Sequence, residues 1–471
     1  MPADVNIGKK VLCILKIYEI YNLIVFVILD KIFVLYNFNM KRRRFFIYTF
    51  GCRVNQAESE SLAQKFIQKG FIQDADDPDI FVINSCAVTH RAVAETRKLI
   101  NKVKREKRSA KIVLTGCSAN YWIKTGNEDV LKKLDIVVDN LQKDFLVEIL
   151  LRRLYAQDNL FNENKPKIRV DKYQSSGRLL IKIQDGCHRF CSFCIVPYLR
   201  GLPKSYKISD ILKVIRKNDW AKEAILTAIN TEAFGKDTGE SFLSLIRSVL
   251  LNTKVQRLSF GSIHPWSIDS EFVSFYKNEV MKDFRDRFVH FFHIPVQSGS
   301  DMVLRLMKRG YRAKEILERV YELKKINPYI YFGTDVIVGF PGETESDFRQ
   351  TYEFLQKSPF VKFHIFRYSS RKHTAAYYMQ KRLEVVPEDT KKKRARLLAE
   401  LESEKIREFQ KKLIGRKFSA LVLNSVKNGL FSAVLDNQYP VLLYCSHKDI
   451  GKIIEVKIVK TYFSKLMAEK T

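Results

Sequence analysis

Residues 185–201 read Asp-Gly-Cys-His-Arg-Phe-Cys-Ser-Phe-Cys-Ile-Val-Pro-Tyr-Leu-Arg-Gly. Three and then two residues separate Cys187, Cys191 and Cys194, and no fourth cysteine lies nearby. A loop with this spacing can give one thiolate to each of three irons of a 4Fe–4S cluster and leave the fourth iron open for a small ligand. The alternative is a zinc site with His188 as the fourth ligand, although structural zinc sites usually use two ligand pairs that are far apart in sequence.

The bulk composition limits the class of protein. The chain has 471 residues, enough for about three domains, and 46% of them are hydrophobic. The formal net charge of +30 indicates a polyanionic partner, although a generally basic proteome would give the same excess. Eight cysteines in a long chain without secretory signals are typical of a reducing cytosol rather than of a disulfide scaffold.

Residues 1–39 form a leader that we predict is not part of the fold. The apolar run at residues 11–29 carries Lys16 and Glu19, whereas a membrane span needs about 20 nearly uncharged residues. Met40 opens a stretch typical of an ordinary cytosolic start, which favours an over-extended gene start. We therefore predict a cytoplasmic protein without a membrane partner; the alternative is a membrane anchor in the leader.

Strands and helices alternate through residues 40–155, which predicts an α/β domain with a doubly wound parallel sheet. A cysteine follows each of three strands. Because the carboxyl ends of parallel strands share one edge, we expect these cysteines to converge there, and Gly51 and Gly116 would let the backbone approach a bulky cofactor closely. The alternative is three ordinary buried cysteines. The three are Cys52, Cys86 and Cys117.

Two further units follow. Residues 173–400 contain six strand-like runs with helical segments between them, too few to close an eight-stranded barrel. The cysteine loop follows the first of these strands, at the carboxyl-terminal mouth, where catalytic loops of such barrels lie. Short strands punctuated by glycines in residues 408–468 predict a small antiparallel β-barrel.

The cysteine string resembles the hallmark of radical S-adenosylmethionine (radical SAM) enzymes, C-x3-C-x-aromatic-C, with Phe193 as the aromatic residue. Residues 186–201 are similar to the methylthiotransferase branch, and the strings at residues 49–58, 84–89 and 115–117 resemble the amino-terminal domain of that family. The resemblance covers about residues 42–465. It implies an open (β/α)6 radical SAM barrel and a carboxyl-terminal RNA-binding barrel of the TRAM type.

The resemblance also implies two 4Fe–4S clusters and SAM as cofactors. The catalytic cluster would bind SAM, which is cleaved to a 5′-deoxyadenosyl radical, and the second cluster would carry the sulfur to be inserted. The implied catalytic cluster ligands are Cys187, Cys191 and Cys194. The implied ligands of the second cluster are Cys52, Cys86 and Cys117. The implied SAM-contact residues are Phe193, Thr227, Asn230, Gln297, Ser298 and Asp335, and weaker candidates are Ser262 and His264.

Within the family, residues 51–56 and 84–89 look most like the MtaB branch, which acts on N6-threonylcarbamoyladenosine at position 37 of tRNA. The implied product is the 2-methylthio derivative of that base. Alternatives are the same reaction on N6-isopentenyladenosine-37 and methylthiolation of a ribosomal-protein aspartate. The implied partners are the tRNA anticodon stem-loop and an electron donor such as flavodoxin or ferredoxin. A non-catalytic RNA-binding protein with structural metal is a further alternative, which iron and labile-sulfide content would distinguish.

Overall fold

The computed structural model of the protein describes residues 43–154, 176–462 and 465–471. The predicted leader at 1–39 and the segment 155–175, between the first two predicted units, lie outside the described residues. Within the described ranges, no helix combines the length and the apolar character that a membrane crossing requires.

The amino-terminal unit is the predicted doubly wound α/β domain. Its five strands are all parallel, in the order β2-β1-β3-β4-β5. All six residues of the central strand β3 are buried, as expected for a parallel strand that is covered on both faces. The strands are β1 (Arg44–Thr49), β2 (Ile72–Gln73), β3 (Ile80–Ser85), β4 (Lys111–Gly116) and β5 (Ile136–Val137). The helices are α1 (Arg53–Gln68), α2 (His90–Glu106), α3 (Cys117–Thr125), α4 (Glu128–Leu131) and α5 (Leu146–Leu154).

The second unit is an open barrel of six parallel strands, which confirms the predicted (β/α)6 architecture. Strands β6, β8 and β9 form one run and β10, β11 and β12 the other, and a bridge between Leu258 and Phe288 joins them. The short strand β7 pairs with β6 in the antiparallel direction and was not predicted. The strands are β6 (Arg178–Asp185), β7 (Lys204–Ser205), β8 (Glu223–Ala228), β9 (Arg257–Phe260), β10 (Phe291–His293), β11 (Tyr331–Val338) and β12 (Lys362–Arg367).

Most helices of this unit cover the outside of the barrel and share one large apolar core with its strands. A π-helical turn at Tyr276–Val280 separates two of the short ones. The helices are α6 (Val196–Arg200), α7 (Ile208–Lys217), α8 (Phe242–Asn252), α9 (Ser270–Phe275), α10 (Met281–Asp283), α11 (Asp301–Leu306), α12 (Ala313–Ile326), α13 (Glu345–Lys357) and α14 (Ala375–Met379).

The carboxyl-terminal unit is a closed five-stranded barrel, in the order β13-β14-β15-β17-β16. The prediction of a purely antiparallel barrel was wrong for one pair, because β15 and β17 are parallel. An odd number of strands that otherwise alternate in direction must close with one parallel pair. The strands are β13 (Lys417–Lys427), β14 (Leu430–Leu435), β15 (Pro440–Tyr444), β16 (Ile453–Tyr462) and β17 (Lys465–Lys470).

One helix, α15 (Glu388–Leu413), joins the last two units. Leu398 and Leu401 pack in the core of the open barrel, whereas Phe409 and Leu413 pack in the core of the closed one. The gap between the two predicted domains therefore lies inside a continuous helix. Because its two halves bury apolar side chains in different cores, this helix fixes one barrel against the other.

The closed barrel docks at the amino-terminal ends of the open-barrel strands. Arg257, the first residue of β9, is buried and donates to the carbonyl oxygen of Val434 at 3.1 Å. Gln438 donates to Glu223, the first residue of β8, at 2.7 Å. This end is opposite the end at which the cysteine loop follows β6.

Candidate active site

The cysteine loop leaves β6 through a turn that requires glycine. Gly186 has a φ of +70°, and a Cβ there would lie 2.1 Å from the carbonyl oxygen of Leu202. The loop closes on itself because the amide of Cys187 donates to the carbonyl of Gly201 at 3.1 Å. It is also anchored to the barrel, since the Ser192 hydroxyl donates to the carbonyl of Leu306 at 2.7 Å.

Cys187, Cys191 and Cys194 are close enough to interact electrostatically. Burial, together with the negative charges that Cys191 and Cys187 carry as thiolates, raises the pKa of the Cys194 thiol to about 12. A bound metal would reverse this preference, because coordinated thiols are deprotonated. Arg309 also stabilises the thiolate form of Cys191. Its Nη1 donates to Cys191 Sγ at 3.2 Å, and its guanidinium is buried.

The donor set of the first triad fits a cluster better than a single zinc ion. A tetrahedral zinc site needs four ligand atoms around one metal, and His188 with the three cysteines does not form a group whose ligand atoms all lie within 4.8 Å. Three thiolates on one short loop can each bind a different iron of a cluster and leave the fourth iron open.

Polar side chains surround the outer side of the loop. Asn230, which is buried, donates from Nδ2 to Cys187 Sγ at 3.7 Å, and its backbone amide donates to Gln184 Oε1 at 2.9 Å. Arg189 pairs with Glu232 at 3.1 Å and lies over the ring of Trp266, 4.1 Å from its centroid. The predicted residue Asn230 thus lies beside the predicted cluster ligand Cys187.

The other predicted SAM-contact residues are spread around the mouth. Phe193 packs into an apolar cluster on the barrel wall, and Thr227 is buried beside Gly261. The Ser298 hydroxyl lies 3.0 Å from that of Thr351, so it is engaged with helix α13. Gln297 has a φ of +79°, a strained value for a residue with a side chain, and its amide donates to the carbonyl of Asp335 at 2.8 Å.

Asp335 lies between two histidines on neighbouring strands. Its Oδ1 is 2.9 Å from His293 Nε2 and 3.2 Å from His364 Nδ1. Although burial alone would raise the pKa of Asp335, the two imidazoles hold it far below its usual value. Gly333 leaves room for this arrangement, since a Cβ there would lie 2.9 Å from His293 Nδ1. Among the described residues, these three form the one His/Cys/Asp/Glu group whose ligand atoms all lie within 4.8 Å, close enough to hold a single metal ion.

His264, a weaker sequence candidate, is buried in the same region. Its Nδ1 has no hydrogen-bond partner in the structure. Burial, together with the charge of Arg309, lowers its pKa to about 3. His264 is therefore a neutral imidazole, stacked on Trp266.

The second triad lies on the carboxyl edge of the amino-terminal sheet. In the strand order 2-1-3-4-5 successive strands are added on one side of β1 and then on the other, and ligands usually bind at such a switch point between β1 and β3. Cys52 precedes α1, Cys117 is the first residue of α3, and Cys86 follows β3. Two helix amino termini therefore point their partial positive charge at this edge, which favours an anionic group.

Gly51 and Gly116 do let the backbone approach a neighbour closely. That neighbour is the end of strand β3, not a cofactor. A Cβ on Gly51 would lie 2.7 Å from Cys86 Cβ, and one on Gly116 would lie 2.4 Å from the carbonyl oxygen of Ser85. Both have φ values above +90°. These glycines therefore pack the cysteine-bearing turns against each other.

A buried network of charges lies beneath the second triad. Arg200 contacts Glu58 at 2.9 Å and Asp185 at 2.8 Å, and Glu58 also binds Lys143 at 2.6 Å and Lys182 at 3.1 Å. Although burial would raise the pKa of Glu58, the charges of Lys143, Arg200 and Lys182 hold it well below its usual value. Asp144 adds a further negative charge near Lys182, and burial lowers the pKa of Lys143. The network therefore holds the Arg200 guanidinium charged beside the second triad.

Sequence reasoning missed several of these residues. Arg309 is 118 residues away from Cys191, and no pattern in the sequence links them. Arg200 stands inside the cysteine string but received no role, although a charged side chain between apolar neighbours was a usable signal. His364 was also missed, because its partner Asp335 is on the adjacent strand and only strand register brings them together.

Arg309 gives a test of the first site. Arg309→Met should weaken retention of the iron–sulfur cluster by roughly tenfold, since a hydrogen bond to a charged group contributes about 1.5–3 kcal/mol. Arg309→Lys, which keeps the charge, should lose less. The measurement is iron per polypeptide after anaerobic reconstitution and gel filtration. Arg305→Met, at an exposed site in the same segment, is the control; equal iron in Arg309→Met and the control would contradict the assignment.

Comparison with known proteins agrees with this geometry. Residues 181–355 match the model of the Radical SAM superfamily, and residues 44–139 match that of the Uncharacterized protein family UPF0004. A radical SAM methyltransferase structure, TsrM from Kitasatospora setae, superposes with a TM-score of 0.52 at 12% identity. The match covers 71% of this chain and 77% of that chain and shows a shared fold.

Curated relatives are more informative. The threonylcarbamoyladenosine tRNA methylthiotransferase MtaB of Aquifex aeolicus is 34% identical over 421 residues, which cover 87% of this chain and 98% of that protein. The tRNA-2-methylthio-N(6)-dimethylallyladenosine synthase of Syntrophus aciditrophicus is 31% identical, with 91% of this chain and 95% of that protein covered. Similarity of this extent includes all three structural units and implies an iron–sulfur cluster and SAM as cofactors. The chain belongs to the methylthiotransferase family of radical SAM enzymes.

Proposed function

We propose that this protein converts N6-threonylcarbamoyladenosine at position 37 of tRNA to its 2-methylthio derivative. The observation that carries the proposal is the presence of two cysteine triads, one on the amino-terminal domain and one on the open barrel. Both lie next to the buried interface between these two units. The slightly higher identity to an MtaB relative, 34% against 31%, supports the choice of base. The dimethylallyladenosine synthases match at almost the same identity, so N6-isopentenyladenosine-37 is the second candidate.

The residues of the first triad would bind the catalytic cluster. When bound, a 4Fe–4S cluster on Cys187, Cys191 and Cys194 supplies the electron that cleaves SAM, because an unactivated C–H bond is beyond acid–base residues alone. Arg309 holds Cys191 and compensates thiolate charge, and Asn230 orients Cys187. The proposed SAM-contact residues are Phe193, Thr227, Asn230, Gln297, Ser298 and Asp335.

Cys52, Cys86 and Cys117 would hold the second 4Fe–4S cluster, which would carry the sulfur. The convergent helix termini and the buried, charged Arg200 support this assignment. These three side chains would bind the cluster and fix its orientation. Their location at the junction of the amino-terminal domain and the open barrel would bring the sulfur close to the barrel mouth.

The net charge of +30 supports RNA as the substrate. The anticodon stem-loop suits a barrel mouth, because bases of a single-stranded loop can be splayed into a site. The closed barrel docks at the opposite end, so an RNA held by both units has to extend along the side of the protein. We further propose a cytoplasmic location and an electron donor of the flavodoxin or ferredoxin type.

Nucleoside mass spectrometry of tRNA tests the function. A deletion strain should lose 2-methylthio-N6-threonylcarbamoyladenosine and retain its unmodified precursor, and the gene supplied in trans should restore the product. Loss of the isopentenyl product instead would establish the second candidate. Unchanged tRNA with an altered ribosomal-protein aspartate would contradict both.

A further inference from the structure

Arg200 connects the two cysteine triads. It follows Cys194 by six residues in the same loop, yet its side chain, only 1% exposed, lies beneath the second triad. Its two terminal nitrogens contact Glu58 and Asp185 at 2.8–3.3 Å, and Nη2 also donates to Asn55 Oδ1 at 2.6 Å. A planar guanidinium with partners on both nitrogens is fixed in orientation, unlike a flexible lysine.

Asn55 links the Arg200 guanidinium by hydrogen bonds to the backbone just before Cys52 and Cys86. Asn55 Nδ2 donates to the carbonyl of Phe50 at 2.8 Å and to that of Ser85 at 3.0 Å. These carbonyls lie at the strand ends that immediately precede Cys52 and Cys86. The position of Arg200 is therefore tied to the position of both cysteine-bearing turns.

The residue before Arg200 braces the third cysteine. The carbonyl of Leu199 accepts from Asn120 Nδ2 at 2.8 Å and from Asn140 Nδ2 at 3.3 Å. Asn120 lies one turn beyond Cys117 in helix α3, and the Leu199 side chain is part of the amino-terminal core. One end of the cysteine loop thus carries the first triad. Its other end, through Arg200 and Leu199, contacts residues next to all three cysteines of the second triad.

The charge of Arg200 acts on the same thiols. Arg200 interacts electrostatically with Cys52, Cys86 and Cys117. The other charged groups around it come from both units. Glu58 and Lys143 belong to the amino-terminal domain, and Lys182 and Asp185 belong to the barrel. Reduction of an iron–sulfur cluster adds one negative charge. A fixed cation in a low-dielectric interior stabilises the reduced form more than the oxidised form.

We propose that Arg200 is a positioning residue for the second triad and that its buried charge raises the reduction potential of the cluster held there. The proposal rests on the two-cluster function stated above. It makes the loop that binds the first cluster a structural part of the second site, through Arg200 and Leu199 rather than through its cysteines.

The test uses the full chain with Cys187, Cys191 and Cys194 replaced by alanine, which leaves only the second triad to bind a cluster. Arg200→Gln and Arg200→Lys are introduced into this background, and each protein is reconstituted anaerobically and titrated with dithionite while the reduced-cluster EPR signal is recorded. Arg394→Gln is the matched control, because Arg394 is equally buried and pairs with Glu343 but lies on helix α15.

Arg200→Gln should shift the midpoint potential of the remaining cluster to more negative values. Arg200→Lys should stay closer to the parent, and Arg394→Gln should match it. Unshifted potentials in both Arg200 variants would overturn the proposal, even with reduced cluster content, since a purely structural role lowers content without moving the potential. A parent protein that binds no cluster would overturn the two-cluster function and this inference with it.

Discussion

Replacing Cys187, Cys191 and Cys194 together with alanine is expected to abolish 5′-deoxyadenosine formation and to halve the bound iron. These three thiols lie in one loop at the barrel mouth and are the ligands through which the catalytic cluster would bind. Without them, SAM has no open iron to chelate and receives no electron. The second triad lies on another unit and keeps its own ligands, so its cluster should remain.

Iron and labile sulfide per polypeptide check this result, together with chromatography of SAM cleavage products after dithionite reduction. The parent protein should hold about eight irons and the triple variant about four. Cys445→Ala, a half-buried cysteine on the closed barrel, should change neither quantity. A triple variant that retains all its iron would show that the first triad does not bind a cluster.

Cys86→Ala is expected to eliminate methylthiolated tRNA while SAM cleavage continues. Burial raises the pKa of the Cys86 thiol to about 12, so without a metal it is an inert, protonated group. Its loss leaves two of three thiolates at the second site, which should lose or disorder the cluster there. The contacts of Arg309 and Asn230 with the first triad are not altered by this change.

A single reaction with dithionite, SAM and threonylcarbamoylated tRNA, scored for both products, measures the outcome. Cys445→Ala again serves as the control and should give both. Normal methylthiolated product from Cys86→Ala would refute the assigned role of the second triad. Loss of 5′-deoxyadenosine as well would mean that the Arg200 network transmits damage from one site to the other, so that the roles are not separable.

Local sequence patterns were enough to predict most of the architecture. The cysteine string is a short loop whose ligands are neighbours in sequence, so its spacing alone indicated a cluster. Alternating strands and helices predicted the parallel sheet and the open barrel, because each element buries one periodic apolar face. The convergence of Cys52, Cys86 and Cys117 was also predictable, since it follows from the parallel direction of the strands that precede them.

Tertiary structure alone decided which side chains complete these sites. Arg309 meets Cys191, Arg200 meets Glu58, and Asp335 meets His364 through strand register and unit packing, across 118, 142 and 29 residues of chain. A charged residue far away in sequence carries no local sign of its partner, because burial and pairing are properties of the packed interface. The sequence by itself therefore predicted the candidate cluster cysteines and the order of the units, whereas the fold decided how charge and position link the two cysteine triads.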